Sequence, residues 1–410
     1  MSPEEKIISL IEKKGGITFA NFMDIAMFWP RGGYYASGDP WGVSGDYYTS
    51  PMVHPVFSAM LCIQLFQMWD LLHRPDPFYV VELGFGNGML RKGILSYSEH
   101  LPNAFLMSLQ YLCIDRHIRT NVSEQVNSDL LISDGVPLSQ IKGCFLSNEL
   151  IDSFPVHRIM VENGELSELY VTHRAGILSE ELRELSDFRL KQRFDDLGIT
   201  LLEGQVAEIN LGLGPWIKDV AQSLQQGFVW TTDYGDLSDL LYSSEKRFRG
   251  TLTTYSKHIQ TDSPFDAIGR QDITSYVDFT TLMSEGMQSD LHPEVYSSQR
   301  RLLLNLGYEE FSLKMRRARL PFNEERNNRY GLRDLVNPDG LGNFKTLIQS
   351  KGLVNPLLWA SKPTTELNSF IANLPFPKME SEHLSLYDAR YPGQWSDSLI
   401  DDLLNGESAT

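Results

Sequence analysis

Four apolar runs that each end in polar residues punctuate residues 78–150: "FYVVELG", "LQYLCID", "DLLISD" and "GCFLSNEL". A fifth run of the same form, "GFVWTTDYG", lies at 227–235. Continuous apolar runs of this length are what buried parallel strands look like. Helical spacing follows the first run from about Asn87 and the second through Val126. Strand, helix, strand in this rhythm predicts an α/β fold with a Rossmann-like, doubly wound, mostly parallel sheet. The interval 156–226 is too rich for one crossover. It holds a hairpin turning at Asn163-Gly164, a charged helix and a second helix at "GPWIKDVAQSLQQG", so an inserted α+β subdomain on the substrate side is expected. "FKTLIQSKG" is expected as a late edge strand.

Residues 1–75 are expected to form an N-terminal helical and lid region. Ser2, Pro3 and Glu5 begin a capped helix that Gly15-Gly16 stops, and Pro30 ends a second. "PVFSAMLCIQLFQMWDLL" is apolar nearly all round and expected to be buried. Between them runs a long segment dense in Gly, Tyr and Ser. Such loops are usually functional or disordered, and its tyrosines argue for order. The core is expected over 76–362, followed by a Pro-, Ser- and acid-rich tail over 363–410 that contains the amphipathic piece "WSDSLIDDLLNG".

The net charge of −17 excludes duplex nucleic acid and anionic membrane as main partners. Cys62, Cys113 and Cys144 are scattered in apolar stretches, which fits buried thiols rather than a disulfide framework. His54, His157 and His258 lack ligand spacing, so no metal is expected. The N-terminus lacks the apolar core of a signal peptide and the Arg-rich character of a transit peptide. A cytoplasmic protein without a membrane span is therefore expected.

The chemistry concentrates after the first strand, where Gly84, Gly86 and Gly88 alternate with other residues. Such a turn lets a ligand approach backbone at a helix N-terminus. The dinucleotide fingerprint needs a glycine at position 89 and finds Met89. Glu82, two residues before the first glycine, would repel a pyrophosphate. It suits a ligand that carries an ammonium and a sulfonium, as S-adenosylmethionine does. Asp115 ends the second strand, where an acid takes ribose hydroxyls; a helix N-cap is the lesser alternative. Asp134 can meet an adenine amino group or serve a turn. "GDYYTSP", at 45–51, is expected to fold over the ligand as a lid. Asp46, Thr49 and Ser50 would then meet the amino-acid end, with Tyr47 or Tyr48 as a wall; alternatively Thr49-Ser50-Pro51 only begins a helix.

In order, the segments "GYY" at 33–35, "GDYYTSP", "VVELGFGNGML" at 80–90, "SNELIDSFPVHRI" at 147–159, "TDYG" at 232–235, "GRQDITSYVDFTTL" at 269–282 and "LGNFKTLIQSKGL" at 341–353 resemble the MidA-like family of class I methyltransferases. That family includes a mitochondrial complex I assembly factor that methylates a protein arginine. The resemblance spans about residues 15–353 and implies S-adenosyl-L-methionine as cofactor. It also implies a protein arginine as acceptor, with a respiratory-complex subunit as the expected partner. By analogy with arginine methyltransferases, Glu149 and Asp152 would grip the guanidinium and Asn148 would lie near the methionine portion. Asn148 and Asp152 also fit the start of a helix. Asp233 and Gln271-Asp272 are further candidates, and Asp272 equally suits an N-cap. A small-molecule acceptor and a non-catalytic assembly factor remain as the alternatives.

Overall fold

The structure is a computed structural model that describes residues 1–36, 48–117, 129–256 and 259–383. Its centre is a seven-stranded sheet. The strands are β1 (Phe78–Leu83), β2 (Leu109–Asp115), β3 (Leu130–Ile132), β4 (Ile141–Asn148), β5 (Leu224–Asp233), β6 (His292–Ser298) and β7 (Lys345–Lys351). They lie in the order β6-β7-β5-β4-β1-β2-β3. Every pairing from β5 to β3 is parallel, whereas β7 runs antiparallel to both its neighbours. The expected strands are therefore present, with one change: β7 is interior rather than at an edge. The edge is β6, whose "HPEVYSS" carries too few apolar residues to be read as a strand.

Helices α1 (Pro3–Lys14) and α2 (Phe19–Phe28) precede the sheet. The capping box at Ser2 and Glu5 forms, and Gly15 closes α1 at φ 76°. Between α1 and α2, Ile17 and Thr18 pair antiparallel with Val171 and Tyr170. Those residues belong to a second sheet built from the hairpin 157–174, strand Ile177–Arg183 and strand Val206–Ile209. Its hairpin turns at Asn163-Gly164, both at positive φ. The first 28 residues are thus stitched to the insertion, a pairing with no local sequence signal.

Both faces of the central sheet are covered. Val80, Leu146, Trp230 and Ile348 pack against α3 (Val56–Leu71) and α4 (Met89–Ser98). Val81, Phe145, Val229 and Leu347 pack against α5 (Leu213–Ser223) and α6 (Phe279–Gln288). Alternation along each strand sends neighbours to opposite layers, as the pleat requires. Two boundaries move accordingly. Helix α3 belongs to the core rather than to the N-terminal region, and α5 is the crossover into β5 rather than part of the insertion. Its Leu213, Ile217, Val220 and Ala221 recur on one stripe. Beyond β7, residues 365–372 form a helix whose Leu367 and Ile371 join the core. The helix expected through Val126 and the segment "WSDSLIDDLLNG" lie outside the described residues.

Candidate active site

Strands β1 and β4 lie side by side, and the chain leaves them toward opposite ends of the sheet. Such a switch point opens a crevice beyond the strand C-termini. Here it is a cleft of about 1060 Å³, its mouth included. The floor is Glu82 from β1, Gly84 and Gly86 from the turn that follows it and Leu90 from α4, with Ile114 and Asp115 from β2. Asn148 and Glu149 close it from β4, while Phe28, Tyr35 and Thr49 reach in from the N-terminal region.

The glycine turn is built as the sequence requires. Gly84, Gly86 and Gly88 all have positive φ, between 60° and 78°. At Gly88 a β-carbon would stand 2.5 Å from the ring of Phe85. That closeness lets Phe85 fold under the turn into the core, where it is 4% exposed. The cleft stays open above it. Asn87 Oδ1 then accepts from the amide of Met89 at the start of α4.

Glu82 is buried at the base of the turn, and Tyr111 donates to its Oε2 at 2.9 Å. Desolvation pushes its carboxyl up to about 8, countered by the Tyr111 hydrogen bond and the nearby Arg91. A cation in the cleft favours the ionised form. Asp115 lines the cleft and Oδ1 accepts from the amide of His117 at 3.3 Å. Asp134 also lines the cleft, and its Oδ1 accepts from Arg116 Nε at 2.8 Å. The side-chain oxygen Oδ1 of Asn148 is buried with no hydrogen-bond partner among the described residues. A buried acceptor in this state costs stability until a donor reaches it. Glu82, Asp115 and this oxygen together fit a ligand with an ammonium and ribose hydroxyls, which is the donor set of S-adenosylmethionine.

Glu149 sits at φ 52°, a left-handed conformation rare for a side-chain-bearing residue. Its amide donates to Thr232 O at 2.8 Å. Asn148 Nδ2 and the amide of Ser50 donate to its Oε1 at 2.9 and 3.3 Å. Desolvation, then the neighbouring Asp152, lift its carboxyl to about 8. The following turn is held by Asp233, whose Oδ2 accepts from the amides of Leu150, Ile151 and Asp152 at 3.1, 2.8 and 3.4 Å. Asp233 is fully buried and its carboxyl is raised by burial. It is a positioning group, not a ligand contact.

Glu82, Gly84, Gly86, Asp115, Asp134, Asn148, Glu149 and Thr49 therefore line one cleft. Gly88 and Ser50 stand behind the wall. So does Asp152, 5% exposed, which does not reach the cleft beside Glu149 as the sequence implied. Asp46 and Tyr47 lie outside the described residues, and Tyr48 is buried away from the lining. Ser50-Pro51 does begin a short helix. Asn148 caps no helix, and Asp272 lies in strand Asp272–Thr274; the N-cap of α6 is Asp278. Sequence reasoning missed Phe28, Arg116, Phe154 and Trp216. The last two pack edge to face at 5.9 Å on the cleft wall. Arg116 directly follows Asp115 at the end of β2, a position the strand pattern marks, whereas Phe28 and Trp216 come from distant helices and reach the cleft by tertiary docking.

Comparison with known proteins extends this picture. Residues 60–297 match the family of S-adenosyl-L-methionine-dependent methyltransferases. The chain is 26% identical over 337 residues to the Bos taurus protein arginine methyltransferase NDUFAF7, mitochondrial, covering 74% of this chain and 73% of that one. It is 33% identical over 306 residues to the Xenopus tropicalis counterpart, covering 67% and 68%. A Burkholderia thailandensis protein crystallised with S-adenosyl-homocysteine aligns at a TM-score of 0.76 and 23% identity, over 89% of this chain and 96% of that one. It shares the fold. The curated relatives are named as mitochondrial, which overturns the cytoplasmic expectation. No helix among the described residues is long and apolar enough to cross a membrane.

Proposed function

The chain belongs to the family of S-adenosyl-L-methionine-dependent methyltransferases, and from that premise we propose that its methyl acceptor is a protein arginine side chain. When bound, S-adenosyl-L-methionine supplies a methyl group already activated by its sulfonium. The protein's task is then alignment of the acceptor and exclusion of water. Glu82, Asp115 and Asn148 would hold the donor. Glu149 would hold the acceptor, because a planar cation asks for a planar carboxylate.

One observation carries the proposal: Glu149 is fixed at the cleft wall by Asn148 and the amide of Ser50. A guanidinium nitrogen that gains a methyl group must give up a proton. The carboxyl, raised to about 8 by burial and Asp152, would be driven to its ionised form by the bound guanidinium and could then receive that proton. The curated relatives are named protein arginine methyltransferases, and a respiratory-complex subunit is the proposed substrate class. The test is tritiated methyl transfer into lysate proteins, followed by acid hydrolysis. Label recovered as methylarginine, and lost with Glu149→Gln, supports the proposal. Label found only on small molecules, or none at all, overturns it.

A further inference from the structure

Two sequence motifs, "GYY" at 33–35 and "GRQDIT" at 269–274, lie far along the chain from the donor turn. The fold brings them together at the cleft. Tyr35 OH donates to the Asp272 carboxylate, at 3.2 Å from Oδ1 and 3.4 Å from Oδ2. Asp272 is 3% exposed, whereas Tyr35 lines the cleft.

The two segments meet backbone to backbone. A β-carbon on Gly269, at φ 73°, would stand 2.3 Å from Gly32 O. Only glycine permits that approach, and the approach sets the distance from Tyr35 to Asp272. The ring of Tyr35 also stacks on Phe28, with centroids 5.6 Å apart and an interplanar angle of 18°. Ring and hydroxyl are thus fixed by separate partners.

The same scaffold reaches the acidic turn. The strand Asp272–Thr274 is followed by Ser275, whose amide donates to Asp152 O at 2.9 Å. Tyr35 and Glu149 are therefore positioned through one connected framework and share one cleft. A phenol that donates to a buried carboxylate carries more negative charge on its oxygen. Its ring face also attracts a cation.

We propose that Tyr35, positioned by Asp272, contacts the cationic methyl acceptor and sets the enzyme's preference for a guanidinium. This rests on the arginine assignment above. The probes are a Gly-Arg-Gly peptide and its Gly-Lys-Gly counterpart, titrated into the full-length protein saturated with S-adenosylhomocysteine. In wild type the arginine peptide binds more tightly than the lysine peptide. In Tyr35→Ala that preference falls by about tenfold or more, and Tyr35→Phe gives an intermediate loss. Asp272→Asn weakens the arginine peptide without altering S-adenosylhomocysteine affinity, which also reports that each variant is folded. Unchanged peptide preference in Tyr35→Ala, with normal S-adenosylhomocysteine binding, overturns the role of Tyr35 alone. Wild type that binds neither peptide, and transfers no label to arginine, overturns the arginine assignment and this role together. Loss of S-adenosylhomocysteine binding in Tyr35→Ala assigns the side chain to the donor and also overturns the proposal.

Discussion

Tyr111 and Glu82 are joined by a 2.9 Å hydrogen bond between adjacent parallel strands, directly beneath the glycine turn. The bond favours an ionised carboxylate in a place where burial opposes one. In the free protein Glu82 is mostly protonated below about pH 8, yet a cationic donor calls for its charge. Donor affinity should therefore rise with pH and level off near 8, with a proton released on binding at lower pH. Tyr111→Phe removes the hydrogen bond and should move the levelling point upward. Calorimetry of S-adenosylmethionine in buffers of different ionisation enthalpy checks both. A flat pH profile would contradict this role for Glu82.

Glu149→Gln should separate stability from activity. The folded carboxyl titrates near 8, against an ordinary 4.5. Its raised value contributes relative stability below about 4.5 that is lost as pH rises through about 8. Near pH 8 the wild-type protein thus carries an ionised, poorly solvated acid, which glutamine removes. The variant should melt at the same temperature as wild type near pH 4.5 and at an equal or higher one near pH 8. Methyl transfer should fall by about 100-fold or more. Melting curves at both pH values, with single-turnover transfer, check this.

Asp233→Ala should act through the turn it holds. Three backbone amides would lose a buried acceptor, at a cost of about 2–3 kcal/mol. Urea unfolding measures that cost. Asp233→Asn keeps one carbonyl oxygen and should recover part of it. Because Glu149 rides on the same turn, transfer should fall in both variants while the affinity for S-adenosylhomocysteine changes less.

How far these features can be read from the sequence depends on the range of the forces that set them. The strand runs, the capping box at Ser2 and the hairpin at Asn163-Gly164 are local, and they appear as expected. The family expected from the ordered motifs also stands. Glu82 and Asp115 fall in the cleft because a strand end is a local feature whose position the parallel sheet determines. Asp152 failed to reach the cleft because three residues of a 3-10 turn, held by Asp233, rotate it behind Glu149. Strand β7 was misplaced because its neighbour β6 is half polar. Tyr35 and Trp216 come from segments whose docking no periodicity encodes.

Gly88→Ala should be costly on two counts. Alanine pays for positive φ, and its β-carbon would meet the Phe85 ring at 2.5 Å. A loss of about 1–3 kcal/mol is expected, with weaker S-adenosylmethionine binding as Phe85 is displaced. Adding Phe85→Leu should restore part of the stability. Thermal melts with and without S-adenosylhomocysteine check both effects.

The route of the chain has a mechanical consequence. It leaves the central sheet at Asn148, threads the whole insertion and returns along α5, whose Trp216 faces the same cleft. Any macromolecule that pulls on the insertion therefore tugs on both jaws of the catalytic crevice through continuous covalent chain. Recognition of a large acceptor and grip on a small donor share a single lever.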